Sequence, residues 1–295
     1  MTLPSSGTIT IAQIAAEFGG DAPHSLSEYY RGGGLVPTNN TNVPTSGTIT
    51  LSDFYGAVNQ VSVTASSASS VNLQTLFNNA ASGSWTSTVP KIYTVGASVV
   101  LGITTVPASM GGTLTINHSG DIQGTGGAGG TFSGTKTGSA GGTAMTVQST
   151  GVTINMLSGS TLSGGGGGGG AGGQGGRGER LGGGNLIFQD GGAGGAGGRG
   201  IGYSQSQTNG SAGVPGNSSP AGPASNEGGG GTGGNGASSF GTAGANGATG
   251  ANGNTTPGPT SGSTGGAAGR AVTFSGVSAY TIIGTNSGTI NGAYT

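Results

Sequence analysis

Apolar and polar residues alternate along residues 61–123, which is the pattern of half-buried β-strands. The clearest runs lie at 61–64, 99–103 and 114–122, where Val, Ile and Thr are abundant. The same alternation returns at 152–157, and the SGTI sequence at 287–290 echoes an N-terminal repeat. We therefore predict a mainly β fold in which these runs are rungs of one β-structure.

A repeated pattern occupies residues 1–60. The sequence PSSGTITI at 4–11 recurs forty positions later as PTSGTITL at 44–51, each copy leading into a short helical pattern. Ser25-Leu-Ser-Glu28 is a capping box that predicts a third short helix, through Tyr30. These α+β elements are small. Two interpretations stay open: a docking segment that folds against a partner chain, or an autonomous cap domain.

Glycine dominates residues 124–270, which contain 55 of the 73 glycines, often with a period of three. A three-residue period matches a left-handed extended helix whose N–H and C=O groups all point outward and need partners. Collagen is disfavoured because its strict Gly-X-Y repeat and high proline content are missing. We predict a sandwich of short, antiparallel polyglycine II helices. The predicted loops between them are 131–137, 179–190, 201–227, 238–242 and 252–264.

Composition narrows the functional classes. Such a glycine content is typical of disorder, but only 5% of the residues are charged, which argues against a solvated, disordered chain. A net charge of −1 and the lack of a basic run exclude a nucleic-acid partner. The N-terminal sequence is unlike a signal peptide, and no stretch has 18 apolar residues. We expect folding in a cytoplasm without Sec export, and no membrane insertion.

Residues suited to catalysis or metal binding are sparse. The chain has no Cys and only His24 and His118, so neither a zinc site nor a catalytic triad is predicted. The eight carboxylates are scattered, although a pair that meets in space would suit glycan hydrolysis. We predict a protein that is not an enzyme and needs no metal and no cofactor.

Several motifs carry a family resemblance. LTINHSGDI at 114–122 runs into glycine blocks, GVTIN follows at 151–155, and GTING closes the chain at 288–292. Together they resemble glycine-rich phage tail-fibre proteins, in particular the adhesins that cap long tail fibres of T-even-like phages. The resemblance implies a location in the virion tail and a polyglycine II sandwich. It also implies that the N-terminal part attaches to another tail-fibre or tail protein, and that loops contact a host outer-membrane protein or surface glycan. A purely structural tail or capsid-decoration protein and a glycan depolymerase are the alternatives.

Exposed loops on a rigid scaffold are where binding residues concentrate, and aromatic anchors carry much of the energy of binding surfaces. The predicted receptor-binding residues are Arg180, Leu186, Ile187, Phe188, Tyr203 and Phe240. For residues 186–188 the alternative is a small plug that packs against the edge of the lattice. Arg177 and Arg199 are further candidates for pairing with acidic groups. The predicted division is a duplicated attachment module at 1–60, a β-rich domain at 61–123, a glycine-rich domain with receptor-binding loops at 124–270 and a closing β segment at 271–295.

Overall fold

The computed structural model describes residues 3–182, 185–216, 227–277 and 283–294. The fold is mainly β, as predicted. Two α-helices, α1 (Ile11–Phe18) and α2 (Leu73–Ala80), and two 3-10 helices, Leu26–Tyr29 and Leu51–Phe54, accompany the strands. The strands are β1 (Val61–Thr64), β2 (Ala68–Asn72), β3 (Lys91–Val95), β4 (Val100–Val106), β5 (Leu114–His118), β6 (Asp121–Gln123), β7 (Met145–Val147), β8 (Val152–Met156), β9 (Thr161–Ser163), β10 (Gly178–Gly182), β11 (Asn185–Gln189), β12 (Val272–Phe274), β13 (Ile283–Asn286) and β14 (Thr289–Asn291).

Two parallel sheets form the body that follows the N-terminal module. One has the strand order β1-β3-β5-β8-β13, and the other contains β2, β4, β6, β9 and β14, with β7 and β12 beside them. Consecutive strands of this body alternate between the sheets, except that β7 follows β6 and β12 follows β9 within one sheet, so each turn of the chain adds one rung to both. Leu101, Ile116, Ile154 and Leu162 are fully buried between them. The prediction that these runs are rungs of one β-structure is confirmed, and we call this body the solenoid.

The glycine-rich region interrupts the solenoid as two insertions at equivalent places in adjacent rungs of one sheet. Strand β4 is continuous, and its first half pairs with β6 while its second half pairs with β7. Strands β6 and β7 therefore share one rung, which residues 124–144 interrupt. In the next rung β9 pairs with β6 and β12 pairs with β7, and residues 164–271 interrupt it at the same place. Strand β14 and a bridge from Tyr294 to Val272 lie on the following rung.

This topology differs from the predicted division at 123/124 and 270/271. Strands β7, β8 and β9 lie within the predicted glycine-rich domain, yet they pair with strands on either side of it. The closing segment likewise belongs to the solenoid, through β12, β13 and β14. The chain returns to the same body after each excursion, and composition along the sequence does not reveal such nesting.

Eight extended segments make up the insertions, and we call them g1 to g8 and their assembly the glycine lattice. Their ranges are g1, 124–130; g2, 136–142; g3, 164–176; g4, 192–201; g5, 208–214; g6, 228–237; g7, 242–251; and g8, 260–269. Within these described ranges the backbone forms no α-helix and no ladder strand. Backbone hydrogen bonds of 2.7–3.2 Å join the segments instead.

Segment g3 is hydrogen-bonded to six of the other described segments. Gly165, Gly166 and Gly167 donate to g2, g4 and g7 at 2.8–2.9 Å, and the same three directions recur every three residues. The carbonyls of g3 accept from g1, g6 and g8. These six segments are also bonded to one another in a closed ring around g3, in the order g1, g2, g8, g7, g6 and g4. Segment g5 lies outside the ring and bonds to g4 and g6.

Two predicted loops are shorter than expected. The predicted loop 201–227 contains g5, in which Thr208, Ser211 and Val214 donate to g4. The predicted loop 252–264 contains the start of g8, where Thr260 and Ser263 donate to g3. In such a segment only one residue in three lies too close to a neighbouring segment to carry a side chain. Residues with side chains occupy the other positions, and the segment still belongs to the lattice.

The N-terminal module has a core of its own. Ile14, Phe18, Tyr29 and Phe54 are buried together, apart from the core of the solenoid. The capping box at Ser25 is confirmed, because the Glu28 carboxylate accepts the N–H of Ser25 at 2.8 Å.

The two halves of the module are joined by equivalent hydrogen bonds between the repeats. The hydroxyl of Tyr30 donates to the carbonyl of Gly47, and that of Tyr55 donates to the carbonyl of Gly7. Each of the two duplicated PxSGTIT turns thus accepts a hydrogen bond from an equivalent tyrosine hydroxyl. A separate core fits an autonomous module, and docking to a partner chain is left as a proposal.

Candidate functional site

A β-hairpin stands at the end of the lattice that is remote from the solenoid. Segment g3 starts directly after β9 and leads at its other end into the antiparallel pair of β10 and β11. An extended chain rises about 3.1–3.4 Å per residue, so g3 separates the hairpin from β9 by about 40 Å. We call this end, with the hairpin and the neighbouring turns, the far end.

Phe188 is the exposed aromatic residue of the hairpin, with 47% of its surface accessible. The guanidinium of Arg177 lies 5.3 Å from the centre of its ring, a cation–π contact. The Nε of Arg177 lies 3.4 Å from the Oδ1 of Asp190, so the cation links the two roots of the hairpin. The far end thereby presents an aromatic face with a cation and an anion beside it.

Val214 lies at the same end and was missed by the sequence analysis. It is 55% exposed, and its N–H donates to the carbonyl of Ala193 at the start of g4. Among the described residues, four large hydrophobic side chains are exposed, and two of them, Phe188 and Val214, belong to the far end. The available signal was an apolar residue before Pro215 in an otherwise small and polar stretch.

The structure brings four of the six predicted receptor-binding residues into the hairpin. Arg180 of β10 pairs with Ile187 of β11, Leu186 is the next residue along β11, and Phe188 follows Ile187. The side chains of Arg180, Leu186 and Ile187 lie outside the described part of the structure.

The other two predicted residues lie at the opposite end of the lattice, against the solenoid. Tyr203 is half-buried, and its N–H donates to the carbonyl of Gly124, the residue that follows β6. Phe240 is half-buried in the turn between g6 and g7, where Gly241 donates to Gly164. The six residues therefore do not form one surface.

Arg199 is within g4, where its guanidinium donates to the carbonyl of Ser206.

Two buried ionisable groups lie in the solenoid and not at the far end. The Lys91 Nζ donates to the carbonyls of Ser87, Val89 and Gly111 at 2.8–3.0 Å, and burial lowers the pKa of Lys91 to about 8. Burial also lowers the pKa of His118 to about 4, although the nearby Asp121 carboxylate opposes that shift. Both groups are enclosed by the core and serve its structure.

The described residues contain no group of three His, Cys, Asp or Glu side chains arranged to bind a metal ion. Within the same part of the chain, no helix has the length and apolar character needed to cross a membrane.

Comparison with known proteins gives one family. No curated protein matches the sequence significantly. A solved structure described as the gp37-gp38 adhesin tip complex of the bacteriophage S16 long tail fiber contains a similar chain, at 21% identity and a TM-score of 0.47, with coverage of 99% of this chain and 100% of that one. The sequence profile of the family described as phage tail fibre adhesin Gp38 matches residues 58–295. Because this match spans the solenoid and the whole lattice, the chain belongs to the phage tail fibre adhesin Gp38 family.

Proposed function

We propose that this chain attaches the virion to its host by binding a cell-surface receptor, an outer-membrane protein or a surface glycan, through the far end of the glycine lattice. One observation carries the proposal: Phe188 and Val214, both exposed, stand together with Arg177 and Asp190 at the end remote from the solenoid. Exposed apolar groups that cluster at one place on a surface, with polar groups beside them, often mark an interaction site. Arg180, Leu186 and Ile187, on the same hairpin, are proposed contacts as well.

The lattice supplies rigidity to this surface. We propose that g1 to g8 are polyglycine II helices packed as a sandwich, because their hydrogen bonds point in three directions and repeat every three residues. Nearly every amide of the central segment g3 is paired to a neighbouring segment, and a scaffold bonded in this way holds its end turns in fixed positions. Such preorganisation reduces the entropy lost on binding.

The N-terminal module is proposed to attach the chain to another tail-fibre or tail protein. The family match starts at residue 58, so the module lies outside the conserved adhesin body. Its core is separate from that of the solenoid. A module of this kind can be exchanged without changing the body, which suits a connection to a fibre that differs between phages.

Tyr203 and Phe240 are proposed as secondary contacts only, since they flank the solenoid. A purely structural role for the whole chain would leave the exposed far end without a purpose. A depolymerase would require an acid and a base across a cleft. In the described hairpin the carboxylates are Glu179 and Asp190, and Asp190 already faces Arg177. The proposal is therefore a non-enzymatic adhesin without a cofactor.

Phage carrying Phe188→Ala, Val214→Ala or both test this assignment. Leu157→Ala is the matched control, because Leu157 is similarly exposed, at 42%, but lies in the turn between β8 and β9. We expect the adsorption rate on the natural host to fall about tenfold or more for the Phe188 variant, in line with loss of an aromatic anchor. Adsorption that is unchanged in the double variant, with correctly assembled particles, would exclude the far end as the receptor-binding surface.

A further inference from the structure

The turn between g7 and g8 contacts strand β10 of the hairpin through one side chain. The Oδ1 of Asn254 accepts the N–H of Glu179 at 2.7 Å, and the Nδ2 of the same amide donates to the carbonyl of Glu179 at 3.0 Å. Both main-chain groups of one β10 residue are therefore paired with a side chain 75 positions away in sequence.

Glu179 is the residue of β10 that lies directly opposite Phe188 of β11. In an antiparallel ladder, alternate residues direct their N–H and C=O toward the partner strand or away from it. Glu179 directs both groups away from β11, toward Asn254. A carboxamide carries one acceptor and one donor side by side, as a strand residue does, so Asn254 acts as one added residue of a third strand.

Main-chain contacts place the turn close enough for this pairing. The N–H of Arg177 donates to the carbonyl of Pro257 at 3.1 Å, and the N–H of Thr255 donates to the carbonyl of Arg177 at 3.3 Å. A Cβ on Gly253 would lie 2.1 Å from the carbonyl oxygen of Arg177, so glycine is required there. These contacts all involve Arg177, the residue before the hairpin. In the described part of the turn, Asn254 is the residue that bonds to β10 itself.

We propose that Asn254 is a positioning residue that fixes the orientation in which Phe188 is presented to the receptor. This inference rests on the proposed function of the far end. A two-stranded hairpin in water is marginally stable, and a free edge lets it twist and fray. Pairing both edge groups of Glu179 restrains the cross-strand neighbour Phe188 before the receptor arrives, which lowers the cost of binding.

The test compares Asn254→Ala and Asn254→Asp with Asn252→Ala in the full chain. Asn252 is exposed in the same turn, and its side chain makes no hydrogen bond to the described part of the hairpin. The first readout is hydrogen exchange at the Glu179 amide in purified protein, without a receptor. The second is the adsorption rate of phage carrying each variant on intact cells of the natural host.

We expect Asn254→Ala to speed exchange at Glu179 about tenfold or more and to slow adsorption about fivefold, the loss of roughly one kcal/mol of positioning. Asn254→Asp keeps the acceptor for the Glu179 N–H and should recover most of the protection. Asn252→Ala should match the parent in both readouts. Unchanged exchange or unchanged adsorption in Asn254→Ala would overturn the inference. If Phe188→Ala is also without effect on adsorption, the proposed function itself fails.

Discussion

Gly168 donates its backbone N–H to the carbonyl oxygen of Ser139 at 2.9 Å, although 28 residues and three strands of the solenoid separate them in sequence. The approach is possible because Gly168 has no side chain. A Cβ there would lie 2.0 Å from the carbonyl oxygen of Ala128 on g1. Glycine is thus required for packing in the lattice. Its positions in each segment indicate which face of that segment lies against a neighbouring segment.

Adjacent glycines of g6 give a matched test of this requirement. A Cβ on Gly230 would lie 2.0 Å from the carbonyl oxygen of Ala193, whereas the nearest atom to a Cβ on Gly229 would be 3.5 Å away. We expect Gly230→Ala to destabilise the protein by about 2 kcal/mol or more, the cost of overpacking a rigid interior, and Gly229→Ala to be neutral. Thermal unfolding of the two variants measures the difference. Equal melting temperatures would show that these segments are not packed as described.

Lys91 predicts a dependence of stability on alkaline pH. Its pKa is lowered by burial to about 8 in the folded protein, so the unfolded chain binds more protons above that pH. The free energy of unfolding should therefore rise from pH 8 toward pH 10. Tyr93, whose pKa burial raises to about 12, begins to oppose this trend above pH 10.

Denaturant titrations at pH 8, 9 and 10 measure the slope in the parent and in Lys91→Met. The variant should lose most of the rise, whereas Lys136→Met, at an exposed position, should keep it. A slope that survives in Lys91→Met would assign the titration to another group.

His118 predicts a dependence of stability on acidic pH. Its pKa is about 4 in the folded protein because the ring is buried, and ordinarily it is about 6.5. The stability that a neutral ring provides is complete above pH 6.5 and is lost as the pH falls toward 4. The loss is about 3 kcal/mol if the full shift is expressed.

The free energy of unfolding, measured at pH 7 and pH 4.5 in the parent and in His118→Leu, checks this expectation. On the ladder His118 lies between Val95 and Met156, so an apolar replacement suits its surroundings. The variant should lose less stability on acidification than the parent. An equal loss in both proteins would mean that carboxylates, and not His118, control the acid response.

Part of the lattice was predictable because glycine content rises with the number of bonded neighbours among segments g7, g4 and g3. Segment g3, bonded to six others, has the glycine run 164–170. Segment g4, bonded to four, repeats two glycines and one alanine, and g7, bonded to three, has one glycine in three. The three-residue period therefore predicts an extended conformation. The number of glycines in each group of three residues indicates how deeply the segment is buried in the lattice.

The parts that escaped prediction depend on partners distant in sequence. Segment g5 resembles a loop because a segment with two neighbours needs only Gly210 and Gly213. The nested insertions were missed because β6 and β7, which share a rung, are separated by 21 residues. The separation of Tyr203 and Phe240 from the hairpin follows from the direction in which each segment runs, which no local pattern encodes.

The most direct test of the account is competition for the host surface. Purified full-length protein, incubated with intact cells of a strain on which the phage plates, should bind saturably and block phage adsorption. The Phe188→Ala protein should compete about tenfold less well, and Leu157→Ala should compete as the parent does. Failure of the parent protein to bind or to block on every host strain would contradict the assignment of the far end as a receptor-binding surface.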